Sequence, residues 1–259
     1  MKNITIALVQ TDIRWHDIEH NLKQTEKAIG GMQNNISLII LPEMFTTGFT
    51  MEPEKFAEDM ETSPTINEIK KWSASTGADI TGSIIIRQNG HYFNRLVWAS
   101  PDGNIRYYDK SHLFRIAGED KKYSRGNDSI IVEKDGWKIM PLICYDLRFP
   151  VFSRNIKLAY DILLFTANWP ASRQDHWESL LKARAIENQC YVIGVNRTGA
   201  GGNGLQYDGG SAVFDFSGKC IAHAGSGEKV IECICEYNAL VNYRKKFPFW
   251  MDADEFSRV

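Results

Sequence analysis

The stretch Ile130-Ile-Val-Glu-Lys-Asp-Gly-Trp-Lys-Ile-Met-Pro-Leu-Ile-Cys144 carries the pattern on which the fold prediction rests. Its two apolar runs, 130–133 and 137–143, flank Asp135-Gly136, a dipeptide typical of tight hairpin turns. We therefore predict two paired strands, the second of which runs directly into Cys144. Loops at strand ends are frequent places for functional residues, so this cysteine is a candidate for chemistry.

Strands and helices alternate on both sides of this hairpin. Further strands are predicted at 4–10, 36–41, 78–87, 92–100, 105–110, 162–167, 191–197, 211–216, 219–224 and 230–235. Helices are predicted before Gly30-Gly31, from Ser63-Pro64 through Trp72, in a short piece opening at Pro150, and over 174–189. Several strands are linked by hairpins, which predicts an α/β fold with mixed rather than wholly parallel sheets.

Length and composition indicate an ordinary globular protein. The chain has 259 residues, of which 43% are hydrophobic and 24% charged, with a net charge of −2. No linker divides it, so we predict one domain over residues 1–259. The near-neutral charge argues against nucleic acid or a membrane as partner, and no apolar run is long enough to span a bilayer. The first ten residues lack the features of a signal peptide, and the five cysteines are an odd number, so a cytoplasmic protein without disulfides is expected.

Three reactive side chains stand at or near the ends of predicted strands: Glu43, Lys110 and Cys144. Taken singly, a cysteine is usually a small buried hydrophobe, and a lysine or glutamate is usually a solvated charge. Together they form a coherent set: a thiol nucleophile, a carboxylate that can accept its proton, and an ammonium that can stabilise a thiolate and then an oxyanion.

Two other clusters are interpreted as structural. Gly199-Ala-Gly-Gly-Asn-Gly204 does not match the spacings of phosphate-binding loops and is predicted to be a mobile loop. Cys233 and Cys235 lie on one face of a predicted strand, without the spacing of a common zinc site, so core packing is expected. No metal is predicted.

Three separated segments resemble the signature motifs of the nitrilase superfamily of carbon–nitrogen hydrolases, in order and in spacing. They are Leu41-Pro-Glu43, Tyr108-Asp-Lys-Ser-His-Leu-Phe114 and Leu142-Ile-Cys-Tyr-Asp-Leu-Arg-Phe-Pro150. The resemblance also includes Thr166-Ala-Asn-Trp-Pro170 and Arg184-Ala-Ile-Glu-Asn188, so it covers nearly the whole chain.

The resemblance implies a four-layer αββα sandwich and a homodimer. It also implies that Glu43 is the general base, Lys110 the stabiliser of the intermediate and Cys144 the nucleophile. No organic cofactor is implied. The backbone N–H of Tyr145 is expected to share the oxyanion with Lys110. Glu119, in the long polar segment 111–128, matches a second glutamate of many members, although a solvent-exposed carboxylate is the alternative.

His112 matches a histidine of the family's lysine motif. We expect a hydrogen-bonding structural role for it rather than a Cys–His protease mechanism.

Within the superfamily, the segments Pro42–Phe49 and Ala167–Arg173 resemble those of the ω-amidases, which hydrolyse the terminal amide of 2-oxoglutaramate and 2-oxosuccinamate. Such small-molecule substrates carry a carboxylate, for which Arg173 is the first candidate partner and Arg148 the second. Phe45 and Trp169 are the aromatic residues expected at the substrate. The alternatives are an amidase of another small linear amide, an N-carbamoyl hydrolase, or a non-catalytic binding protein on the same fold.

Overall fold

The structure is a computed structural model that describes residues 2–32, 35–202 and 204–254. Within these residues the strands are β1 (Ile4–Gln10), β2 (Leu38–Ile40), β3 (Glu58–Asp59), β4 (Asp79–Gln88), β5 (His91–Ala99), β6 (Ile105–Asp109), β7 (Val132–Lys134), β8 (Trp137–Ile143), β9 (Ile162–Ala167), β10 (Tyr191–Asn196), β11 (Thr198–Ala200), β12 (Gln206–Asp208), β13 (Ala212–Phe214), β14 (Cys220–His223) and β15 (Lys229–Cys235). The helices are α1 (Ile18–Gly30), α2 (Pro53–Phe56), α3 (Pro64–Thr76), α4 (Gln174–Asn188) and α5 (Tyr237–Lys246).

The strands form two large sheets, and both are mixed, as predicted. The first has the order β15-β1-β2-β4-β5-β6, with β3 paired to β4. Its inner strands β1, β2 and β4 are parallel, whereas β15, β5 and β6 pair antiparallel with their neighbours. The second has the order β14-β13-β10-β9-β8-β7, with β8, β9 and β10 parallel. In the described part of the chain, β11 and β12 form a separate two-stranded sheet.

The two faces of the first sheet bury different cores. Ile6 and Leu8 of β1 belong to a core that also holds residues of β8 and β9, so this face packs on the second sheet. Ala7 and Val9 point to the opposite face and join a core that includes residues of α1 and α3. Alternate residues of one strand therefore serve two separate cores.

The outer face of the second sheet is covered by α4. Trp177 and Leu181 of this helix lie so close to Gly194 of β10 that a Cβ atom there would meet them at 2.6 and 2.5 Å. A larger residue at this position would push the helix away from the sheet. The layers thus run helix, sheet, sheet, helix, which confirms the four-layer αββα sandwich.

The predicted start of α3 is confirmed by its cap. The Ser63 hydroxyl accepts a hydrogen bond from the Ile66 N–H at 2.9 Å, and Pro64 occupies the first turn, where no donor is needed. The helix continues past Trp72 to Thr76 and is capped by Gly77, whose φ of +71° is in the left-handed region.

The prediction of a short helix that begins at Pro150 is wrong. The chain there forms turns, with a short 3-10 turn at Ile156–Leu158. The Asn155 side chain accepts a hydrogen bond from the Tyr160 N–H at 3.1 Å and donates to the Tyr160 carbonyl at 2.9 Å. These side-chain bonds satisfy backbone groups that a helix would otherwise pair.

The chain that follows β10 also differs from the prediction. The glycine-rich segment begins within β11, which pairs with β12, and Asn203 of this segment lies outside the described residues. Helix α5 follows β15 and was not anticipated. Cys235 is fully buried and Cys233 packs against the same core, as expected. None of the helices in the described ranges is long and apolar enough to cross a membrane.

Candidate active site

The loops that follow four strands meet at one place, two from each sheet. Glu43 follows β2 and Lys110 follows β6 of the first sheet. Cys144 follows β8 and Asn168 follows β9 of the second. All four residues line one cavity. The sandwich therefore brings together the three candidates that the sequence places about 30 to 100 residues apart.

Glu43, Lys110 and Glu119 form a buried cluster of charges. The Lys110 Nζ lies 2.9 Å from Glu43 Oε1 and 3.0 Å from each carboxylate oxygen of Glu119. Both glutamate side chains are 0% exposed and that of Lys110 is 1% exposed. Glu119 is thus a buried partner of the lysine rather than a solvated carboxylate.

Two asparagines hold Glu43 in place. Asn94 Nδ2 donates to Glu43 Oε1 at 2.8 Å, and the Asn168 N–H donates to Glu43 Oε2 at 2.8 Å. The Ser83 hydroxyl donates to Asn94 Oδ1 at 2.8 Å and so fixes which end of that amide faces the carboxylate. Each carboxylate oxygen of Glu43 therefore has a fixed donor, which preorganises it for proton transfer.

The charges of this cluster keep the lysine protonated. Burial by itself lowers the pKa of Lys110, but the charges of Glu119 and Glu43 outweigh it, and the net pKa lies above its ordinary value. The pKa of Glu119 is raised by burial and by the charge of Glu43, although Lys110 opposes that shift. Lys110 is therefore an ammonium that lies between the two glutamates.

Cys144 occupies a tight turn at the end of β8. Its φ of +44° is in the left-handed region, which is uncommon for a residue with a side chain. The buried Asp146 stabilises the turn: its carboxylate accepts hydrogen bonds from the Ile143 N–H at 3.0 Å, the Tyr108 hydroxyl at 2.8 Å and the His112 ring at 2.7 Å. His112 therefore has the structural role expected of it, and it joins the lysine loop to the cysteine turn.

The Cys144 thiol is protonated at rest. Exclusion of water by the surrounding protein raises its pKa most, and the charge of Glu43 raises it further. Lys110 and the Asn168 N–H lower the pKa but do not compensate. Because Glu43 is hydrogen-bonded to the thiol, the proton has an acceptor at hand when the sulfur attacks.

The cavity above the thiol is walled largely by aromatic and apolar side chains. The predicted residues Tyr145, Arg148, Trp169 and Arg173 all line it. Phe45 does not, which corrects its predicted place at the substrate: it is 1% exposed and packs in the core beneath the first sheet. The turn that follows β2, in which Met44 has a φ of +42°, places Phe45 in this core.

Sequence reasoning missed several residues of this site. The cavity is also lined by Phe49, Phe114, Ala117, Asn168, Pro170, Leu205 and Tyr207. Asn94, which contacts both glutamates, was missed as well. Its signal in the sequence is weak, because Asn94 and its neighbour Arg95 both interrupt the apolar pattern of β5. The last two cavity residues follow the glycine-rich segment, and no local pattern indicates that this segment reaches the site.

Two arginines at the cavity lack an acidic partner. Arg148 donates to His176 Nδ1 at 3.0 Å, and its guanidinium lies 4.9 Å from the centre of the Trp169 ring. The Arg173 guanidinium lies 5.5 Å from the centre of the Phe114 ring. Neither forms an ion pair with any carboxylate among the residues described, so both cations are available to an anionic ligand.

The arrangement is suited to acyl transfer: a thiol, a hydrogen-bonded base and a buried ammonium meet at the floor of a cavity. Across residues 2–32, 35–202 and 204–254, no group of three or more acidic, histidine or cysteine side chains is placed to hold a metal ion. Fold and site together define a cysteine hydrolase built on a four-layer sandwich.

Comparison with known proteins gives the family. The model of the carbon–nitrogen hydrolase family matches residues 5–240, and the chain belongs to that family. It is 44% identical to the omega-amidase YafV of Escherichia coli K12 over 99% of both chains. It is 33% identical to the 2-oxoglutaramate amidase of Bacillus subtilis 168 over 96% of both chains.

The fold has a close match among solved structures. XC1258 from Xanthomonas campestris, a CN-hydrolase superfamily protein with an arsenic adduct in the active site, superposes with a TM-score of 0.98. The two sequences are 44% identical, and the match covers 100% of each chain.

Proposed function

We propose that the protein is an ω-amidase that hydrolyses the terminal amide of 2-oxoglutaramate or 2-oxosuccinamate to the dicarboxylate and ammonia. The observation that carries this proposal is a cavity with the Glu–Lys–Cys cluster at its floor and two arginines without acidic partners in its wall. The similarity to relatives named omega-amidase and 2-oxoglutaramate amidase supports it.

In the first step Cys144 attacks the amide carbon. The thiol proton passes to Glu43, the sulfur–carbon bond forms, and the carbonyl electron pair moves to oxygen. The resulting oxyanion is bound by the Lys110 ammonium and the Tyr145 N–H. Lys110 has three N–H bonds, and two of them are directed at Glu119. Releasing one Glu119 oxygen frees a donor for the oxyanion.

In the second step the tetrahedral intermediate collapses. The proton on Glu43 passes to the nitrogen, the carbon–nitrogen bond breaks and ammonia leaves, which gives a thioester on Cys144. Glu43 then takes a proton from water, which attacks the thioester, and returns it to the departing sulfur. The thiol and the carboxylate are restored, and no cofactor takes part.

The two arginines support a substrate that carries a carboxylate. A 2-oxo monoamide has its carboxylate at the end opposite the reacting amide, so a cation is needed across the cavity from the thiol. Arg173 and Arg148 both line the cavity and are the candidates for that cation, and Trp169 and Phe114 support them through cation–π contacts. The aromatic wall also excludes water and strengthens the charge pair.

Ammonia release from a panel of amides tests the proposal. The panel contains 2-oxoglutaramate, 2-oxosuccinamate, an uncharged amide of equal length and an N-carbamoyl amino acid. We expect kcat/KM for the 2-oxo monoamides to exceed that for the uncharged amide by at least about 30-fold, which corresponds to about 2 kcal/mol. Preference for the uncharged amide or the N-carbamoyl compound contradicts the substrate assignment. No release from any amide favours a non-catalytic binding protein.

Two substitutions test the arginines separately. Arg173→Met and Arg148→Met are expected to raise KM for the carboxylate-bearing substrate selectively. Arg115→Met is the matched control, because Arg115 is exposed beside the cavity and does not line it. An equal effect on both substrates removes the substituted arginine from the substrate site.

The proposal includes one catalytic domain over residues 1–259, a cytoplasmic location and a homodimer. The five cysteines are all free, in keeping with a reducing compartment. The short 3-10 turns Ile156–Leu158 and Phe249–Asp252 lie side by side and expose apolar side chains, which supports self-association: Ile156 is 48%, Phe249 59% and Met251 67% exposed.

A further inference from the structure

Arg148 differs from three buried arginines in the nature of its partner. Arg95, Arg184 and Arg244 are buried, and each contacts a carboxylate at 2.7 to 3.0 Å. Arg148 instead donates to the imidazole of His176 at 3.0 Å. Its partner is thus a histidine, in the first turn of α4, rather than an acid.

The direction of this hydrogen bond defines the state of the histidine. A guanidinium has only donors, so His176 Nδ1 must be the acceptor. An imidazole that accepts at Nδ1 carries its proton on Nε2 and is neutral. His176 therefore fixes one edge of the guanidinium without cancelling its positive charge.

The other contact of Arg148 fixes its plane. The guanidinium lies over the Trp169 ring, and both residues line the cavity. One N–H is bound to His176, and none of the remaining donors has a partner among the described residues. The guanidinium is thus held between an imidazole and an indole, with donors left over for an anion.

We propose that His176 is a positioning residue that orients Arg148 toward the carboxylate of the substrate. A carboxylate in its place would neutralise the arginine and compete with the substrate, whereas a neutral acceptor reduces the rotamer freedom of the arginine and preserves its charge. This inference rests on the proposed function, because it requires a substrate with a carboxylate.

The test compares two substitutions of His176 with a control. His176→Leu removes the acceptor. His176→Asn retains one, because the Asn Oδ1 and the His Nδ1 are both attached to Cγ. Ser179→Leu is the control, because Ser179 is an exposed residue of the same helix that does not line the cavity.

Steady-state kinetics with 2-oxoglutaramate and an uncharged amide of equal length give the readout. We expect His176→Leu to raise KM for 2-oxoglutaramate about tenfold, which corresponds to about 1.4 kcal/mol, with kcat and the uncharged amide unaffected. His176→Asn is expected to restore KM to within about threefold of the wild type.

The outcomes separate this inference from the proposed function. If the wild type prefers the carboxylate-bearing substrate and His176→Leu behaves like Ser179→Leu, only the role of His176 is overturned. Equal increases of KM for both substrates indicate a structural role and overturn it as well. If the wild type itself does not prefer the carboxylate-bearing substrate, both the substrate assignment and the role of His176 are contradicted.

Discussion

The three catalytic candidates act on one another through charge. Burial raises the pKa of the Cys144 thiol most, the charge of Glu43 raises it further, and the charge of Lys110 lowers it. The thiol is therefore protonated at rest, and in the proposed mechanism Glu43 takes its proton during the attack. A nucleophile that is activated only when substrate arrives is protected from unwanted reaction in the empty site.

Glu43→Gln is predicted to lower kcat/KM and also to lower the pKa of the Cys144 thiol. Loss of the base should lower kcat/KM by about 10²- to 10⁴-fold. Loss of its negative charge should lower the pKa of the thiol, because Lys110 is then opposed by one carboxylate fewer. Thiolate absorbance against pH measures this, with the same variant carrying Cys144→Ala as the blank. A raised thiol pKa, or normal turnover, is incompatible with the role of Glu43.

Lys110→Met is predicted to move the thiol pKa in the opposite direction. It removes the cation that lowers the pKa, and it leaves two buried carboxylates without their partner. We expect a loss of at least about 10²-fold in kcat/KM and a fall of about 3–5 kcal/mol in the free energy of unfolding. Denaturant unfolding and the thiolate titration test both effects, and an unchanged stability would refute the buried ion cluster.

At the level of single residues the sequence predicts the triad better than the cavity wall. Glu43, Lys110 and Cys144 are recognisable because each stands at or near the end of a predicted strand. Phe45 and Phe49 are equally plausible from the pattern, and only the turn at Met44 decides that Phe49 faces the cavity while Phe45 is buried. Positive φ at a residue other than glycine has no reliable signal in a single sequence.

Among the elements, the turn that presents Cys144 depends on Asp146. This carboxylate joins the cysteine turn to the loop after β6 through the backbone and ring of His112. The His112 ring also stacks on Phe149, with centroids 3.7 Å apart. The contact between Asp146 and His112 therefore holds Lys110 and Cys144 in their relative position, although neither Lys110 nor Cys144 takes part in it.

Asp146→Asn is predicted to loosen this turn. The amide keeps the shape but replaces one acceptor oxygen with an NH₂ group, which faces donors that are buried. We expect the free energy of unfolding to fall by about 1–3 kcal/mol and kcat to fall with it. Chemical unfolding and kinetics are the measurements, and Asp208→Asn in β12, which is exposed, is the control. A variant as stable and active as this control contradicts the role of Asp146.

Elements with local signals are predicted well from the sequence, and those with non-local causes are not. The hairpin of β7 and β8 and the cap of α3 depend on residues close in the chain. The absence of the helix predicted at Pro150 is explained by Asn155. Its side chain donates hydrogen bonds to the carbonyl of Tyr160 and to that of Asn188, 33 residues away. Such tertiary contacts override local propensity.

On the scale of the whole molecule, the site exists only where the two sheets meet. Glu43 and Asn168 are 125 residues apart, yet two hydrogen bonds join them, at 2.8 and 2.5 Å. Composition and strand patterns predict mixed sheets, but which strand ends face each other follows from the sheet orders. That information came from the family resemblance rather than from any local pattern.

The proposed homodimer is tested by the mass of the protein in solution. Light scattering is expected to give twice the chain mass of 29.5 kDa, because apolar side chains as exposed as Phe249 and Met251 are stabilised by burial against a second copy. Phe249→Asp should shift the protein toward the monomer. Ile234→Asp, on the edge strand β15, is the control. A monomeric wild type, or equal effects of the two substitutions, contradicts the proposed interface.

The covalent intermediate is the central claim, and mass spectrometry of the enzyme quenched during turnover of 2-oxoglutaramate tests it most directly. The peptide that contains Cys144 is predicted to gain the mass of the substrate less ammonia, and Cys144→Ala is predicted to show neither adduct nor turnover. Absence of an adduct on Cys144 during full turnover, together with activity of Cys144→Ala within about tenfold of the wild type, would contradict the account.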